Sequence, residues 1–169
     1  MKKITIQNIL DFKKEEQKFA TITAYDYNSA SIVDSCEIPL MLVGDSASMV
    51  IYGYTTTIPV TMDEMLLVVK SVSRGAKRAL VVADLPFLSY QSSIQDTINN
   101  AGTMIKEGGA GAVKLEGGVH MKKHIKKLVQ IGVPVMGHIG LTPQSFHQMS
   151  GYSMQGKTSK QAEKIIEDS

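Results

Sequence analysis

One cysteine, no tryptophan and no excess of either charge are the first features of this 169-residue sequence. A lone Cys36 excludes an intrachain disulfide framework and fits a reducing compartment. It falls in a helical pattern far from any strand end, a poor place for a nucleophile. The 18 basic and 16 acidic side chains leave a net charge of +2. That balance argues against a nucleic-acid binder, whose basic groups gather on one face. The one basic concentration, Lys122 to Lys127, is interleaved with Met121, Ile125 and Leu128 at helical spacing and reads as a solvated helix face. No apolar run is long enough to span a bilayer, and the first residues lack the apolar core of a signal peptide. A soluble, cytoplasmic protein with no membrane or nucleic-acid partner is therefore expected. No G-x-G-x-x-G follows the first strand, which withdraws support from a dinucleotide site.

What the sequence does have is a series of apolar runs that end in chemistry. Leu40 to Val43 runs into Gly44-Asp45-Ser46, Ala79 to Ala83 into Asp84, Ala112 to Leu115 into Glu116, and Val133 to Gly137 into His138. Such runs read as parallel strands buried on both faces, with polar groups delivered at their carboxyl ends. With a first strand over Phe19 to Ala24, the count is five, alternating with helices. The helices are expected over Thr5 to Lys18, Asn28 to Cys36, Thr61 to Arg74 with Gly75 past the end, from Ser93, through the lysine run, and from Thr158 onward. The Ser93 helix carries a stripe of Ile94, Ile98, Ala101 and Ile105. The connection from Asp45 to Val60 is long for a compact domain, a length usually tied to function.

Strands alternating with helices imply an α/β fold of right-handed βαβ units, either an open doubly wound sheet or a closed (β/α)8 barrel. A barrel needs eight strands and typically about 250 residues. This chain would then stop in the helix after its fifth strand, one incomplete domain over residues 1 to 169.

Asp45 and Asp84 each end an apolar strand, and neighbouring strand ends converge on one site. Two carboxylates brought together repel, and a divalent cation relieves the repulsion. Oxygen-only ligands, few in number, suit Mg2+, which keeps water or substrate in its open positions. Glu116 on the next strand is placed to hold one of those waters. The alternative for each acid is a helix or loop cap. Lys114 points to the same strand face as Glu116, either to hold an anionic substrate or to close an ion pair with Glu116. His138 is placed to bond a substrate oxygen or to serve as a structural histidine. Ser46 offers a hydroxyl beside Asp45, or simply forms a turn. His120, His124 and His147 show no informative spacing.

Val43-Gly44-Asp45-Ser46, Ala83 to Phe87, Lys114 to Gly118 and Gly137 to Ser145, together with Thr23 to Tyr27 and Gly151-Tyr152 with Gln155-Gly156, resemble the 3-methyl-2-oxobutanoate (ketopantoate) hydroxymethyltransferase family of pantothenate biosynthesis. The resemblance runs from the first strand to the end of the chain. It implies a (β/α)8 barrel and transfer of a one-carbon unit from 5,10-methylenetetrahydrofolate to a 2-oxo acid, giving 2-dehydropantoate through a Mg2+-stabilised enolate. It also implies a homo-oligomer. Carried over by motif, Asp45 and Asp84 would ligate Mg2+ with Glu116 in its outer environment, while Ser46, Lys114 and His138 would line the oxo-acid pocket. The family's general base, a glutamate, would lie beyond residue 169, so no residue here takes that role. On this reading the chain is a fragment, expected to be inactive and poorly folded alone.

Ser48 stands where the family usually has glycine, and Ser150 replaces the first glycine of a usual Gly-Gly-Tyr. Two further readings compete. Another Mg2+-dependent 2-oxo acid barrel of the phosphoenolpyruvate mutase or isocitrate lyase type should carry a reactive cysteine loop, and Cys36 is misplaced for it. A non-catalytic remnant would suit the missing base, but the retained Asp45, Asp84, Lys114 and Glu116 show no decay.

Overall fold

The computed structural model describes residues 2–169. Five strands form one sheet: β1 (Thr21–Thr23), β2 (Leu40–Val43), β3 (Leu80–Asp84), β4 (Ala112–Glu116) and β5 (Val135–His138). Every neighbouring pair is parallel and the spatial order is β1-β2-β3-β4-β5. That order decides between the two expected architectures. A doubly wound sheet reverses its strand order at a switch point, whereas a (β/α)8 barrel adds each strand beside the last. The chain thus supplies five consecutive strands of barrel topology, with β1 and β5 each paired on one side only.

The helices follow from local chemistry. α1 (Ile6–Lys14), α4 (Met62–Gly75) and α7 (Ser159–Asp168) open with capping boxes, Thr5 with Asn8, Thr61 with Glu64 and Thr158 with Gln161. Asp26 caps α2 (Tyr27–Ser35), and Ser93 caps α5 (Ile94–Lys106). α3 (Ala47–Val50) occupies the start of the long connection after β2, and α6 (Lys122–Gln130) carries the lysines, which are exposed as expected while Leu128 is buried.

Several boundaries differ from the sequence reading. α1 stops at Lys14, and the first strand keeps only Thr21–Thr23; Phe19, ahead of it, packs at a tilt against Phe12, their ring centroids 5.1 Å apart. Gly75 is the last residue of α4 rather than a residue beyond it. A side chain there would meet the Tyr27 carbonyl at 2.6 Å, so the glycine lets α4 press against the backbone of α2. The buried line of α5 is Thr97, Ala101 and Met104, with Ile94 left 38 % exposed. Thr97 can go under because its hydroxyl donates to the helix-cap region and lies 2.8 Å from His124 Nδ1. The residues that depart from the family pattern have distinct local effects. The Ser48 hydroxyl is buried and donates to the Thr56 carbonyl at 2.6 Å, pinning the long connection. Ser150 sits at φ +54°, in the left-handed region where glycine is unstrained.

The sheet has two different faces. Met41, Val43, Val81, Ala83, Val113 and Leu115 pack outward against Met65, Val69 and Val72 of α4, Met104 of α5 and Leu128 of α6. Burying a side chain of this size stabilises by roughly 1.5–3 kcal/mol. The alternate residues Leu40, Leu80, Val82 and Ala112 form a second cluster that meets Ile6 and Ile9 of α1. Strand alternation carries that inner face from Leu80 and Val82 to Asp84, and from Ala112 to Lys114 and Glu116. The inner face is therefore apolar at the amino ends of the strands and charged at their carboxyl ends.

Candidate active site

The polarity change on the inner face builds the site. Register places Asp84 opposite Lys114 and Glu116 opposite His138. All four thus project from one face within two strand rungs, and Asp45 arrives beside them from the turn after β2. That turn is tight. The Asp45 N–H donates to Asp84 Oδ2 at 3.2 Å, which links the two strand-end acids directly. A Cβ on Gly44 would lie 2.8 Å from Ser46 Oγ, so only glycine leaves the serine hydroxyl in place. That hydroxyl is 2.7 Å from the Tyr25 hydroxyl at the end of β1.

The four charged groups are buried, with Asp45 4 %, Asp84 1 %, Lys114 7 % and Glu116 5 % exposed. Lys114 Nζ donates to both Asp84 oxygens, at 2.7 and 2.6 Å. The closed pair between Lys114 and Glu116, one of the two alternatives for this lysine, is not formed. Residues two apart on a strand are about 6.6 Å apart along it, whereas a neighbouring strand is about 4.8 Å away, so the lysine takes the acid across the sheet. Glu116 is engaged elsewhere: Oε1 lies 3.1 Å from His138 Nδ1, and Oε2 accepts the Gln144 N–H at 3.0 Å. A carboxylate only accepts, so Nδ1 carries the proton in that bond, and Nε2 is left free to face the pocket.

Burial first, and then the charge of Asp84, push the Asp45 carboxyl up to about 7. Burial also raises Asp84, against the pull of the Lys114 ammonium. With Asp84 held by two charge-assisted bonds, the proton that the two acids cannot both give up resides on Asp45.

No group of three or more His, Cys, Asp or Glu side chains among the described residues is disposed to hold a metal ion. Both Glu116 oxygens are engaged, one with His138 and one with the Gln144 N–H. Two buried carboxylates with one compensating lysine still fit a hard divalent cation that keeps most of its positions for water and substrate oxygens.

Sequence reasoning missed two participants. Gln144, 4 % exposed, donates from Nε2 to Asp45 Oδ2 and to the Leu85 carbonyl, each at 2.9 Å. Tyr90, fully buried, receives the Glu116 N–H at 3.0 Å and donates to Gln144 Oε1 at 2.7 Å. Beside them opens a cleft of about 340 Å3, lined among others by Phe87, Tyr90, Glu116, His120, Gln144 and His147. His120 and His147 thus line the site's approach, while His124 is a structural partner of Thr97. Cys36 caps the carboxyl end of α2, ahead of β2 and so at the opposite end of the sheet from the acids.

A family model described as ketopantoate hydroxymethyltransferase matches residues 3–169. A curated 3-methyl-2-oxobutanoate hydroxymethyltransferase from Carboxydothermus hydrogenoformans is 53 % identical over 168 residues, covering 99 % of this chain and 61 % of the relative. One from Staphylothermus marinus is 55 % identical over 168 residues with the same coverage. The chain spans about three-fifths of the length of these relatives. Among solved structures, 2,3-dimethylmalate lyase, a member of the PEP mutase/isocitrate lyase superfamily, aligns with a TM-score of 0.61 at 14 % identity, covering 98 % of this chain and 67 % of that one. Oxaloacetate acetylhydrolase aligns with a TM-score of 0.57 at 11 % identity, covering 76 % of this chain and 50 % of that one. At such identities the likeness is one of fold. No helix among the described residues is long and apolar enough to cross a membrane.

Proposed function

Because the chain belongs to the ketopantoate hydroxymethyltransferase family, we propose that it carries the metal- and oxo-acid-binding part of that enzyme. The reaction would transfer a hydroxymethyl group from 5,10-methylenetetrahydrofolate to 3-methyl-2-oxobutanoate, giving 2-dehydropantoate, in the cytoplasm and in a homo-oligomer. The observation that carries this reading is the Asp45–Asp84–Lys114 cluster, buried at the carboxyl ends of three adjacent strands.

Asp45 and Asp84 would hold Mg2+, which when bound draws charge from a 2-oxo carbonyl and so acidifies the carbon next to it. Lys114 spends two of its three N–H donors on Asp84, and the third remains for a substrate carboxylate. The Ser46 hydroxyl, held by Tyr25, stands beside Asp45 as a second anchor. His138 is oriented by Glu116 and offers Nε2 to a substrate oxygen or water. The cleft lined by Phe87, Tyr90 and His120 adjoins Glu116, and the larger folate reactant would reach the pocket through it. The proton-removing base is assigned to none of these residues.

The test is calorimetric titration of the chain with 3-methyl-2-oxobutanoate, with and without Mg2+. Saturable binding that requires Mg2+ is the expected result. Equal heats in the presence and absence of the metal, or no binding by a folded chain, would refute the proposal.

A further inference from the structure

The Asp45 carboxylate receives one side-chain hydrogen bond among the described residues, from Gln144. Residues 45 and 144 lie 99 positions apart, so the contact ties the turn after β5 to the end of β2. The amide is fully used. Its two N–H groups go to Asp45 Oδ2 and the Leu85 carbonyl, and its oxygen accepts from the Tyr90 hydroxyl at 2.7 Å and from Gln91 Nε2 at 3.1 Å. With both donors facing acceptors and both lone pairs facing donors, only one orientation of the amide satisfies the site. The backbone N–H of the same residue donates to Glu116 Oε2. One buried residue therefore holds two of the site's carboxylates, and Tyr90, bonded both to it and to the Glu116 N–H, holds that residue in turn.

We propose that Gln144 is a positioning residue: it fixes one oxygen of Asp45 and one of Glu116, leaving the other Asp45 oxygen to face a cation and its oxo-acid ligand. This rests on the functional reading above for the identity of the oxo acid, but not for the cation-binding geometry. A purely structural glutamine would stabilise the turn at Pro143–Ser145 without changing the affinity of the folded site.

The experiment uses the 169-residue chain and two variants, Gln144→Met, which keeps the length and loses every side-chain hydrogen bond, and Tyr90→Phe, which keeps the ring and releases the Gln144 oxygen. Melting temperature is measured for each. Binding is probed with Mn2+ alone, by water-proton relaxation, and with 3-methyl-2-oxobutanoate plus Mg2+, by calorimetry. Gln144→Met is expected to weaken Mn2+ binding by about 10- to 100-fold, the usual effect of removing a group that orients a ligand. Tyr90→Phe is expected to weaken it less, in the same direction. Both variants binding Mn2+ within twofold of the parent, whatever their melting temperatures, would overturn the proposal. If Gln144→Met does not fold, Tyr90→Phe decides alone. A parent chain that binds Mn2+ but not the oxo acid would sink the substrate assignment and leave the Mn2+ series to judge Gln144. A folded parent that binds neither would overturn both.

Discussion

Replacing Lys114 with methionine is expected to cost about 3–5 kcal/mol of stability, the usual penalty for removing one partner of a buried ion pair. Lys114 is the only cation among the described residues that bonds Asp84, which is 1 % exposed, and it reaches both carboxylate oxygens. Methionine would fill the volume but leave two acids facing each other without compensation. The expected remedy is informative. Adding Asp84→Asn to Lys114→Met should recover most of the loss, because a neutral amide at position 84 leaves no unpaired charge where the lysine was removed. Urea unfolding of the two single variants and the double variant measures this coupling. A loss below about 1 kcal/mol for Lys114→Met would mean that the pair behaves like an exposed salt bridge, against the burial described here.

Asp45→Asn should act in opposite directions on stability and on binding. The carboxyl of Asp45 has an ordinary value of 3.8 and is pushed up to about 7 by burial and by Asp84. Between about pH 4 and pH 7 the folded chain therefore holds a proton that the unfolded chain has released. The contribution of Asp45 to stability is greatest at the acid end of that window, falls as pH rises through it, and levels off above. Three pKa units at about 1.4 kcal/mol each set a ceiling of about 4 kcal/mol. Asparagine removes the charge and keeps an oxygen for the Gln144 amide, so the variant should be more stable than the parent by about 1–3 kcal/mol at pH 8 and no more stable at pH 4. The same change removes one of the two proposed cation-holding carboxylates and should abolish Mg2+-dependent binding of the oxo acid. Thermal or urea denaturation at the two pH values reads the first effect and calorimetry the second. A variant that is destabilised at pH 8 would show that Asp45 is held as a satisfied carboxylate rather than a strained one.

Much of the barrel topology was legible because parallel strands in a sheet interior leave apolar runs, and the end of each run marks where the inner face turns from apolar to charged. Asp45, Asp84, Glu116 and His138 were found in that way. What a single strand's pattern does not carry is its pairing across the sheet. That Asp84 rather than Glu116 takes Lys114 depends on the register Asp84↔Lys114, set by how β3 and β4 are offset. The engagement of both Glu116 oxygens has the same origin, since Glu116 stands opposite His138 and meets the returning turn at Gln144. Gln144 and Tyr90 gave no periodic signal of their own. A glutamine after a proline and a tyrosine in a serine-rich segment are ordinary loop residues until the chain brings them 2.7 Å apart. Gly75 was misplaced because glycine usually marks a helix end, whereas here it serves the close approach of α4 to α2.

The most direct measurement is a crystal structure of the chain with Mn2+ and 3-methyl-2-oxobutanoate, with the metal located by anomalous scattering. The account predicts one anomalous peak in contact with a carboxylate oxygen of both Asp45 and Asp84, at about 2.0–2.2 Å if Mn2+ follows the short oxygen distances of Mg2+, with the oxo acid beside Ser46 and the free donor of Lys114. A peak bound elsewhere, or a soaked crystal in which the Asp84–Lys114 pair is unchanged and no metal lies between the two aspartates, would contradict it.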